Sequence, residues 1–217
     1  VDDTVINGTT TVVVDLADVN GNPVNGTIKF VCDDGTVLEA VPVDGTATHF
    51  EVPFDNTHVG KDVNVKATFV PAENSGYTAS EDDDDFNVAK LNTTVEIVPG
   101  SPVAHNDTVA TITLKNSTAS VPGEDIVVTI KDEFGNVLNE TTVNTGSTGS
   151  VDVHYTPVTN GTITIVAVFD GNASENVYNG NSSSKNVDVT NISTEMSVSV
   201  DDTVINGTTT VVVDLAD

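Results

Sequence analysis

Residues 1–18 read VDDTVINGTTTVVVDLAD, and residues 200–217 read the same eighteen letters. Chance does not produce an identity of this length, and mutational drift would soon blur it. The identity therefore indicates tandem repeats kept alike by recombination, or a stretch with overlapping ends cut from a longer polymer.

A weaker repeat lies inside this long one. The segment that starts at Asn7 aligns with the segment that starts at Asn106, and residues 66–69 align with residues 166–169. Each unit is thus about one hundred residues long, a common size for a β-sandwich domain.

Both units are predicted to be all-β. The residues between the strands, such as Asn20-Gly-Asn-Pro23 and Phe134-Gly-Asn136, are typical of turns, and no segment carries the apolar stripe of a helix. Alternating apolar and polar residues predict strands near 9–16, 26–31, 36–41, 46–53, 62–70 and 86–90, then near 93–98, 108–115, 125–131, 136–143, 149–155, 161–169 and 185–190. We expect the centres of the two cores at Phe69, Phe169, Val65 and Ile165.

The repeats predict the domain boundaries. Domain 1 covers residues 1–91, domain 2 covers residues 92–190, and residues 191–217 are the first two strands of the next copy. The predicted strand at 93–98 has a counterpart at 193–200 but none before residue 1. Within this stretch domain 1 is therefore expected to lack its first strand, which leaves an unpaired sheet edge.

Composition excludes several classes of partner. The chain has 33 Asp and Glu against 7 Lys and Arg, for a formal net charge of -26. This surface would repel the phosphates of nucleic acids and anionic lipid headgroups. No apolar run reaches the roughly 18 residues of a membrane span, so this segment is expected not to insert into a membrane. The single cysteine, Cys32, excludes an intrachain disulfide, and the neighbouring Asp33 and Asp34 predict an unreactive thiol.

N-x-[ST] sequons are the densest local signal. Random placement of the 22 Asn of the chain predicts roughly 5 sequons, whereas eleven are present. The excess favours an N-glycosylated protein of the cell surface, although Asn-Gly-Thr is also good turn chemistry. The candidate glycosylation sites are Asn7, Asn25, Asn92, Asn106, Asn116, Asn139, Asn160, Asn172, Asn181, Asn191 and Asn206.

A run of carboxylates is the candidate metal site. Asp82, Asp83, Asp84 and Asp85 follow Glu81 in what is predicted to be the loop before the last strand of domain 1. Calcium takes six to eight hard oxygen ligands, and a loop of this composition offers them. The alternative is a solvated charged loop without a metal. No other cofactor is expected.

Catalytic patterns are missing from the sequence. The four His residues are scattered, and none has the spacing of a zinc site. There is neither a G-x-S-x-G elbow nor a phosphate-binding glycine loop. We therefore expect no catalytic residues and no enzymatic activity.

The pattern as a whole resembles a known family. The segments that carry the likeness are Thr-Val-Ile-Asn-Gly-Thr-Thr-Thr-Val (4–12), the turn 20–24 before Gly-Thr-Ile-Lys-Phe (26–30), the Asp-Gly-Thr-Ala corner (44–47), and Val-Lys-Ala-Thr-Phe (65–69) followed by 76–80. They are similar to the bacterial immunoglobulin-like (Big-type) repeats of adhesin-like surface proteins, including those of methanogenic archaea. The resemblance implies tandem seven-stranded sandwiches with Greek-key topology and a stalk or adhesin role. Between residues 116 and 125 the second unit departs from the pattern with a longer Ser/Thr/Pro segment.

The combined prediction is a structural repeat segment of a long extracellular filament, stalk or adhesin. Its expected partners are neighbouring repeats of the same protein, with lateral or end-to-end self-assembly. One alternative is a module that binds glycans or cells, although 3 Tyr, 7 Phe and no Trp offer few of the aromatics that such sites use. The other alternative is a polymer of separate subunits, in which residues 193–217 of one copy enter the open sheet of the next.

Overall fold

The computed structural model of the chain describes residues 1–117, 119–171 and 177–216. The regular elements of this described part are strands, and no helix in it could cross a membrane. The strands are β1 (Thr4–Val5), β2 (Thr9–Asp15), β3 (Asn25–Cys32), β4 (Val41–Asp44), β5 (His49–Asp55), β6 (Gly60–Pro71), β7 (Ser80–Ala89), β8 (Thr93–Pro99), β9 (Thr108–Asn116), β10 (Asp125–Lys131), β11 (Val137–Asn144), β12 (Ser150–Tyr155), β13 (Gly161–Gly171), β14 (Asn179–Val189), β15 (Glu195–Val200) and β16 (Val211–Ala216).

The chain divides into two compact units. Unit 1 consists of Val1–Asn92 together with Gly171–Asn179, and unit 2 consists of Thr93–Asp170 together with Gly180–Asp217. The sequence-based division at residues 91/92 and 190/191 stays a prediction.

Unit 1 consists of two sheets, and its buried apolar side chains form two clusters, of which the larger contains Val65 and the smaller contains Phe69. Its larger sheet has the order β1-β7-β6-β3-β4, and its smaller sheet contains β2 and β5. The larger cluster joins Val52 of β5 to Val65 of β6 and Val88 of β7, so side chains of both sheets interdigitate. Phe69 and Val65 are buried, which confirms the predicted core positions in this unit.

Unit 2 contains a complete seven-stranded sandwich. One sheet has the order β11-β10-β13-β14, and the other has the order β12-β9-β8. Ile112 of β9 and Ile165 of β13 are fully buried, and Phe169 is 2 % exposed. The predicted all-β class with immunoglobulin-like Greek-key topology is confirmed by this arrangement, as is the predicted core of the second unit.

Two turns have the same hydrogen-bonded design. In each, an Asp carboxylate accepts backbone N–H bonds from the residues two and four positions later, at 2.8 and 2.9 Å for Asp18 and at 2.9 and 2.8 Å for Asp132. A glycine at positive φ completes the reversal, Gly21 at 81° and Gly135 at 84°. Hydrogen bonds lower the pKa of both carboxyls, chiefly the bond from the backbone N–H of Asn22 to Asp18 and the bond from the side-chain amide of Asn136 to Asp132. The turns predicted at 20–23 and 134–136 are therefore present.

Three strand predictions are wrong in position. Residues 36–40 form no strand, and β4 starts at Val41 instead. The last strands of the two units start at Ser80 and Asn179, each six residues before the predicted 86 and 185. Their first halves are rich in Asp, Ser and Asn, which have low strand propensity. Pairing with a long neighbouring strand overrides that propensity.

The structure also shifts the internal alignment by one residue. Asn7 has a φ of 60°, and the residue with this geometry in the second unit is His105, at 63°. The turn bond that follows runs from Gly8 N to Val5 O at 2.9 Å, and from Asn106 N to Val103 O at 3.1 Å. His105 is thus the counterpart of Asn7, because Asn and His both tolerate the left-handed region. The sequon at Asn106 is not the counterpart of the sequon at Asn7.

Candidate functional site

The most distinctive feature of unit 1 is an open sheet edge. Within the described residues, β2 pairs with β5 along one edge and with no strand along the other. A cavity of about 350 Å³ follows this free edge, with Val12 and Val14 of β2 on one side and Val65 of β6 beneath. Asp82 and Asp84 of β7 form the opposite side.

A second cavity continues along the same edge. It measures about 470 Å³ and is lined by Leu16, Val19, Phe69 and Tyr77, among others. Leu16 is half-buried, whereas Val19 is fully exposed. We refer to the two cavities, which follow β2 and its continuation from Val12 to Val19, as the open groove.

Unit 2 shows what covers the equivalent edge. There β8 pairs with β9 in antiparallel register, with Val95 opposite Leu114 and Ile97 opposite Ile112. Val95 is 7 % exposed and Ile97 is 8 % exposed, so both side chains belong to the core. The open groove of unit 1 therefore has the position that β8 occupies in unit 2.

The acidic run lies on a strand rather than in the predicted loop. Asp84 is opposite Val65 in the ladder and Asp82 is opposite Ala67, so these two carboxylates share the inward face of β7. Asp83 and Asp85 lie on the other face, where both accept hydrogen bonds from the side-chain amide of Asn64, at 2.7 and 3.0 Å. The alternation separates the four carboxylates into two pairs. Within the described residues, no three His, Cys, Asp or Glu side chains are grouped so that they could hold a metal ion. Calcium binding stays a prediction.

A charged triplet lies on the outer face of the smaller sheet of unit 1. Nδ1 of His49 is 2.7 Å from Oδ1 of Asp15, and its Nε2 is 3.6 Å from Oε1 of Glu51. Hydrogen bonding to Asp15, and then to Glu51, raises the pKa of His49 above its usual value. All three side chains are largely exposed, which is typical of a solvated surface pair.

Cys32 is a core residue. In unit 1 Cys32 lies opposite Val65, and in unit 2 Ile130 lies opposite Ile165, which is the counterpart of Val65. The sulfur of Cys32 therefore has the position of the buried Ile130 side chain. Burial, followed by the charge of Asp34, raises the pKa of the thiol to about 11. The thiolate is the reactive form of cysteine, so this environment agrees with the predicted inert thiol.

The sequon asparagines lie at or near the surface. Seven are exposed and three are half-buried, while Asn172 and the Thr118 of one sequon fall outside the described residues. Exposure is what glycosylation requires, but exposed Asn is also the rule in proteins. Occupancy of these sites stays a prediction. The exposed ones are Asn7, Asn25, Asn92, Asn106, Asn160, Asn191 and Asn206, and the half-buried ones are Asn116, Asn139 and Asn181.

Sequence reasoning did not predict the cleft beside β2. The cleft and its acidic side depend on β7 beginning six residues early, at Ser80. The sequence carried no signal for this early start, because four consecutive Asp residues show no alternation of apolar and polar side chains.

Comparison with known proteins identifies the fold. No protein-family model matches the chain, and no curated protein matches it. Among solved structures, the titin domains Z1Z2 in complex with telethonin match with a TM-score of 0.51 and 10 % sequence identity, over 89 % of this chain and 93 % of that chain. The chain is thus a tandem immunoglobulin-like β-sandwich protein.

Two bacterial proteins match less closely. The adhesin InvE of Yersinia pseudotuberculosis has a TM-score of 0.36 and 16 % identity, over 87 % of this chain and 56 % of that chain. Dimeric latent PorU from Porphyromonas gingivalis has a TM-score of 0.37 and 18 % identity, over 88 % of this chain and 19 % of that chain. The chain thus spans about a fifth of the length of PorU. Membership of the Big-type family, and of its archaeal branch, stays a prediction.

Proposed function

We propose that this chain is a structural repeat segment of a long extracellular surface protein, in which tandem immunoglobulin-like sandwiches form a stalk or filament. Stacked repeats that contact only their neighbours make a rod whose length increases with repeat number. The strongly acidic surface keeps such rods soluble and apart.

One observation carries this proposal: the second copy of the eighteen residues begins the same local structure as the first. Asn206 has a φ of 65° where Asn7 has 60°. Gly207 N donates to Val204 O at 2.8 Å, as in the corresponding turn after Asn7. The repeat in sequence is therefore also a repeat in structure, which supports an array rather than a lone two-domain protein.

The mass of the native protein tests the array. We expect a denatured mass far above the 22.5 kDa of this chain, which falls when sugar is removed. A native protein of 22.5 kDa plus glycan would contradict a continuous array. Protease treatment of intact cells checks the location, because a surface protein is expected to release peptides of this sequence without lysis.

Glycosylation is a separate part of the proposal. Peptides that contain Asn160 or Asn191, both exposed, are expected to carry sugar in mass spectrometry of the native protein. Asn136 provides the matched control, because it is exposed in a turn but has Leu two positions later. Unmodified sequons throughout the chain would contradict this part and leave the array intact.

Cell binding distinguishes the structural role from the adhesin alternative. A structural repeat is expected to leave glycan arrays and cells unlabelled when the isolated chain is applied. Saturable binding that a free sugar competes away would favour the module that binds glycans or cells.

A further inference from the structure

We propose that N-linked sugars on Asn139 and Asn181 cover the two free edges of the four-stranded sheet of unit 2, where they prevent this sheet from pairing with the sheets of neighbouring copies. The inference rests on the glycosylation part of the proposed function, and it gives two of the sequons a specific task.

The two sequons lie on the strands that have an unpaired side. The sheet has the order β11-β10-β13-β14, so within the described residues no strand pairs with the outer side of β11 or of β14. Asn139 lies in β11 and Asn181 lies in β14, whereas the inner strands β10 and β13 contain no asparagine. Asparagine is disfavoured in strands, so its place in both edge strands needs an explanation other than strand formation.

Both edge strands have few of the features that normally protect an edge. A free edge presents a row of unpaired N–H and C=O groups, with which another chain can pair. β11 is eight residues long, contains one charged side chain and no proline, and its ladder with β10 is regular from Asn139 to Asn144. The first six residues of β14, 179–184, carry no charged side chain. Both edges therefore depend on another device to remain unpaired.

Unit 1 protects the equivalent edge with a proline. Its edge strand β4, which pairs with β3 as β11 pairs with β10, has four residues, and the second is Pro42, which has no N–H to donate. The residues before β4 leave the sheet, and Leu38 is buried in the core instead. At the same edge of unit 2 there is no proline, and the sequon of Asn139 lies there in its place.

Both asparagines face the interior of the sandwich, so an attached sugar has to leave past the edge. Asn139 lies opposite Ile130, which is 1 % exposed, and residues directly opposite each other share a face. Oδ1 of Asn181 accepts a hydrogen bond from the backbone N–H of Val95, on the other sheet of unit 2, at 3.3 Å. Both asparagine side chains are half-buried, with the core on their inner side. The remaining open side is the free edge, which the sugar therefore covers.

The modification preserves the contact of Asn181. A bond forms between Nδ2 of the asparagine and C1 of the sugar, and Nδ2 loses one hydrogen as a proton. The bond from C1 to the phosphate of an activated sugar donor breaks, and its electron pair stays on the phosphate oxygen. The carbonyl oxygen of the side chain is unchanged, so Asn181 still accepts the bond from Val95.

Site-resolved mass spectrometry of the native protein is the first test. Asn139 and Asn181 are both expected to carry sugar. If both were bare while Asn160 and Asn191 carried sugar, this inference would fail and the glycosylation part of the proposed function would stand. If every sequon were bare, both would fail.

The second experiment measures molar mass in solution against protein concentration, with the full chain secreted by eukaryotic cells, which attach glycans through N-acetylglucosamine. Salt at about 1 M shortens the screening length to roughly 3 Å, so that the charge of -26 on each copy does not mask pairing. The glycosylated parent is expected to stay a monomer. Thr141→Ala removes the sequon of Asn139 but keeps the asparagine, and its molar mass is expected to double as two β11 edges pair about a twofold axis.

Matched variants separate the edge sugars from sugar in general. Thr141→Ser keeps the sequon and should stay a monomer, while Ser183→Ala removes the sequon of Asn181 and should associate. Asn160→Gln removes a sugar outside the strands and is expected to leave the molar mass unchanged. A monomeric Thr141→Ala chain would overturn the inference, and so would association of Asn160→Gln to the same extent.

The backbone of β11 shows where the pairing must occur. Asn144 is the counterpart of Pro42, because each lies opposite the residue two positions before the partner of the corresponding Thr68 and Val168. The nitrogen of an edge-strand proline faces the free side. The N–H groups of Asn144 and, by strand alternation, of Thr142 therefore face the free side of β11.

The third experiment uses this geometry. Amide exchange at Thr142 should slow when the Thr141→Ala chain associates. Addition of Thr142→Pro to that variant removes an outward N–H but no bond to β10, and it is expected to restore the monomer. Unchanged exchange in β13 verifies that unit 2 is folded. Association that persists in the double variant, or protection confined to other strands, would refute pairing at β11.

Discussion

Phe86 offers the sharpest test of how unit 1 is held together. It lies on β7, is 1 % exposed, and its ring meets that of Phe54 on β5 edge to face, with centroids 5.7 Å apart and an interplanar angle of 78°. Phe86 therefore joins the two sheets of the sandwich. Truncation of a buried Phe to Ala costs about 3–5 kcal/mol, because the transfer energy is lost and a cavity remains.

Phe86→Ala is expected to remove that amount from the free energy of unfolding of unit 1. A small domain has about 5–15 kcal/mol in total, so the unit becomes marginal. Hydrogen exchange with mass spectrometry reports the two units separately. Amides of β6 that open only by global unfolding of the unit should exchange roughly 150- to 5,000-fold faster, because about 1.36 kcal/mol corresponds to a factor of ten.

The control is another phenylalanine of the same chain. Phe134 is 82 % exposed in a turn of unit 2, and Phe134→Ala is expected to change stability by less than about 0.5 kcal/mol. A double-mutant cycle with Phe54→Ala and Phe86→Ala should give a coupling of about 0.5–1.5 kcal/mol for the ring pair. A loss below about 1 kcal/mol for Phe86→Ala would refute the burial argument. Equal acceleration in β13 would refute the division into two units.

Three further outcomes follow from the titratable groups. The pKa of His49 is raised, so its protonated form, paired with Asp15, stabilises the fold. This stabilisation is complete below the unfolded-state pKa of about 6.5 and is lost as the pH rises through the folded-state pKa. In an NMR titration, Asp15→Asn should lower the pKa of His49. Cys32, with a pKa of about 11, is expected to react with a disulfide reagent at pH 8 roughly a hundredfold more slowly in the native chain than in denaturant, and equal rates would contradict its burial. The pKa of Asp132 is lowered, so its turn is stabilised above the unfolded pKa and loosens as pH falls through the folded one. Asp132→Ala should therefore speed amide exchange at Asn136 at neutral pH, and unchanged exchange there would count against the turn bonds.

Much of the architecture was predictable from local pattern. Alternation of apolar and polar residues located strands such as β2 and β10, because the period of two directly reports which face is buried. Turns with strong chemistry, such as that of Asp132, were also predictable, since a carboxylate that accepts two backbone N–H bonds needs only nearby residues.

Positions where pairing overrides propensity were not predictable. Four consecutive Asp residues indicate a loop, yet residues 82–85 extend β7 because β6 offers a long ladder opposite them. The one-residue shift that makes His105 the counterpart of Asn7 was hidden for a similar reason. Backbone geometry, rather than residue identity, defines that equivalence.

The sequence by itself determined that the chain is all-β and that it repeats, because strand period, turn chemistry and an eighteen-residue identity are local properties. Only the tertiary structure decided which strands pair and which side chains line the groove of unit 1. It placed Val12, Val14 and Leu16 along a groove, and it fixed the register of β15 on β16, whose sequence repeats that of residues 12–17. The reason is that a sheet edge is formed by residues distant in the chain, and their alignment depends on which side chains the core buries together.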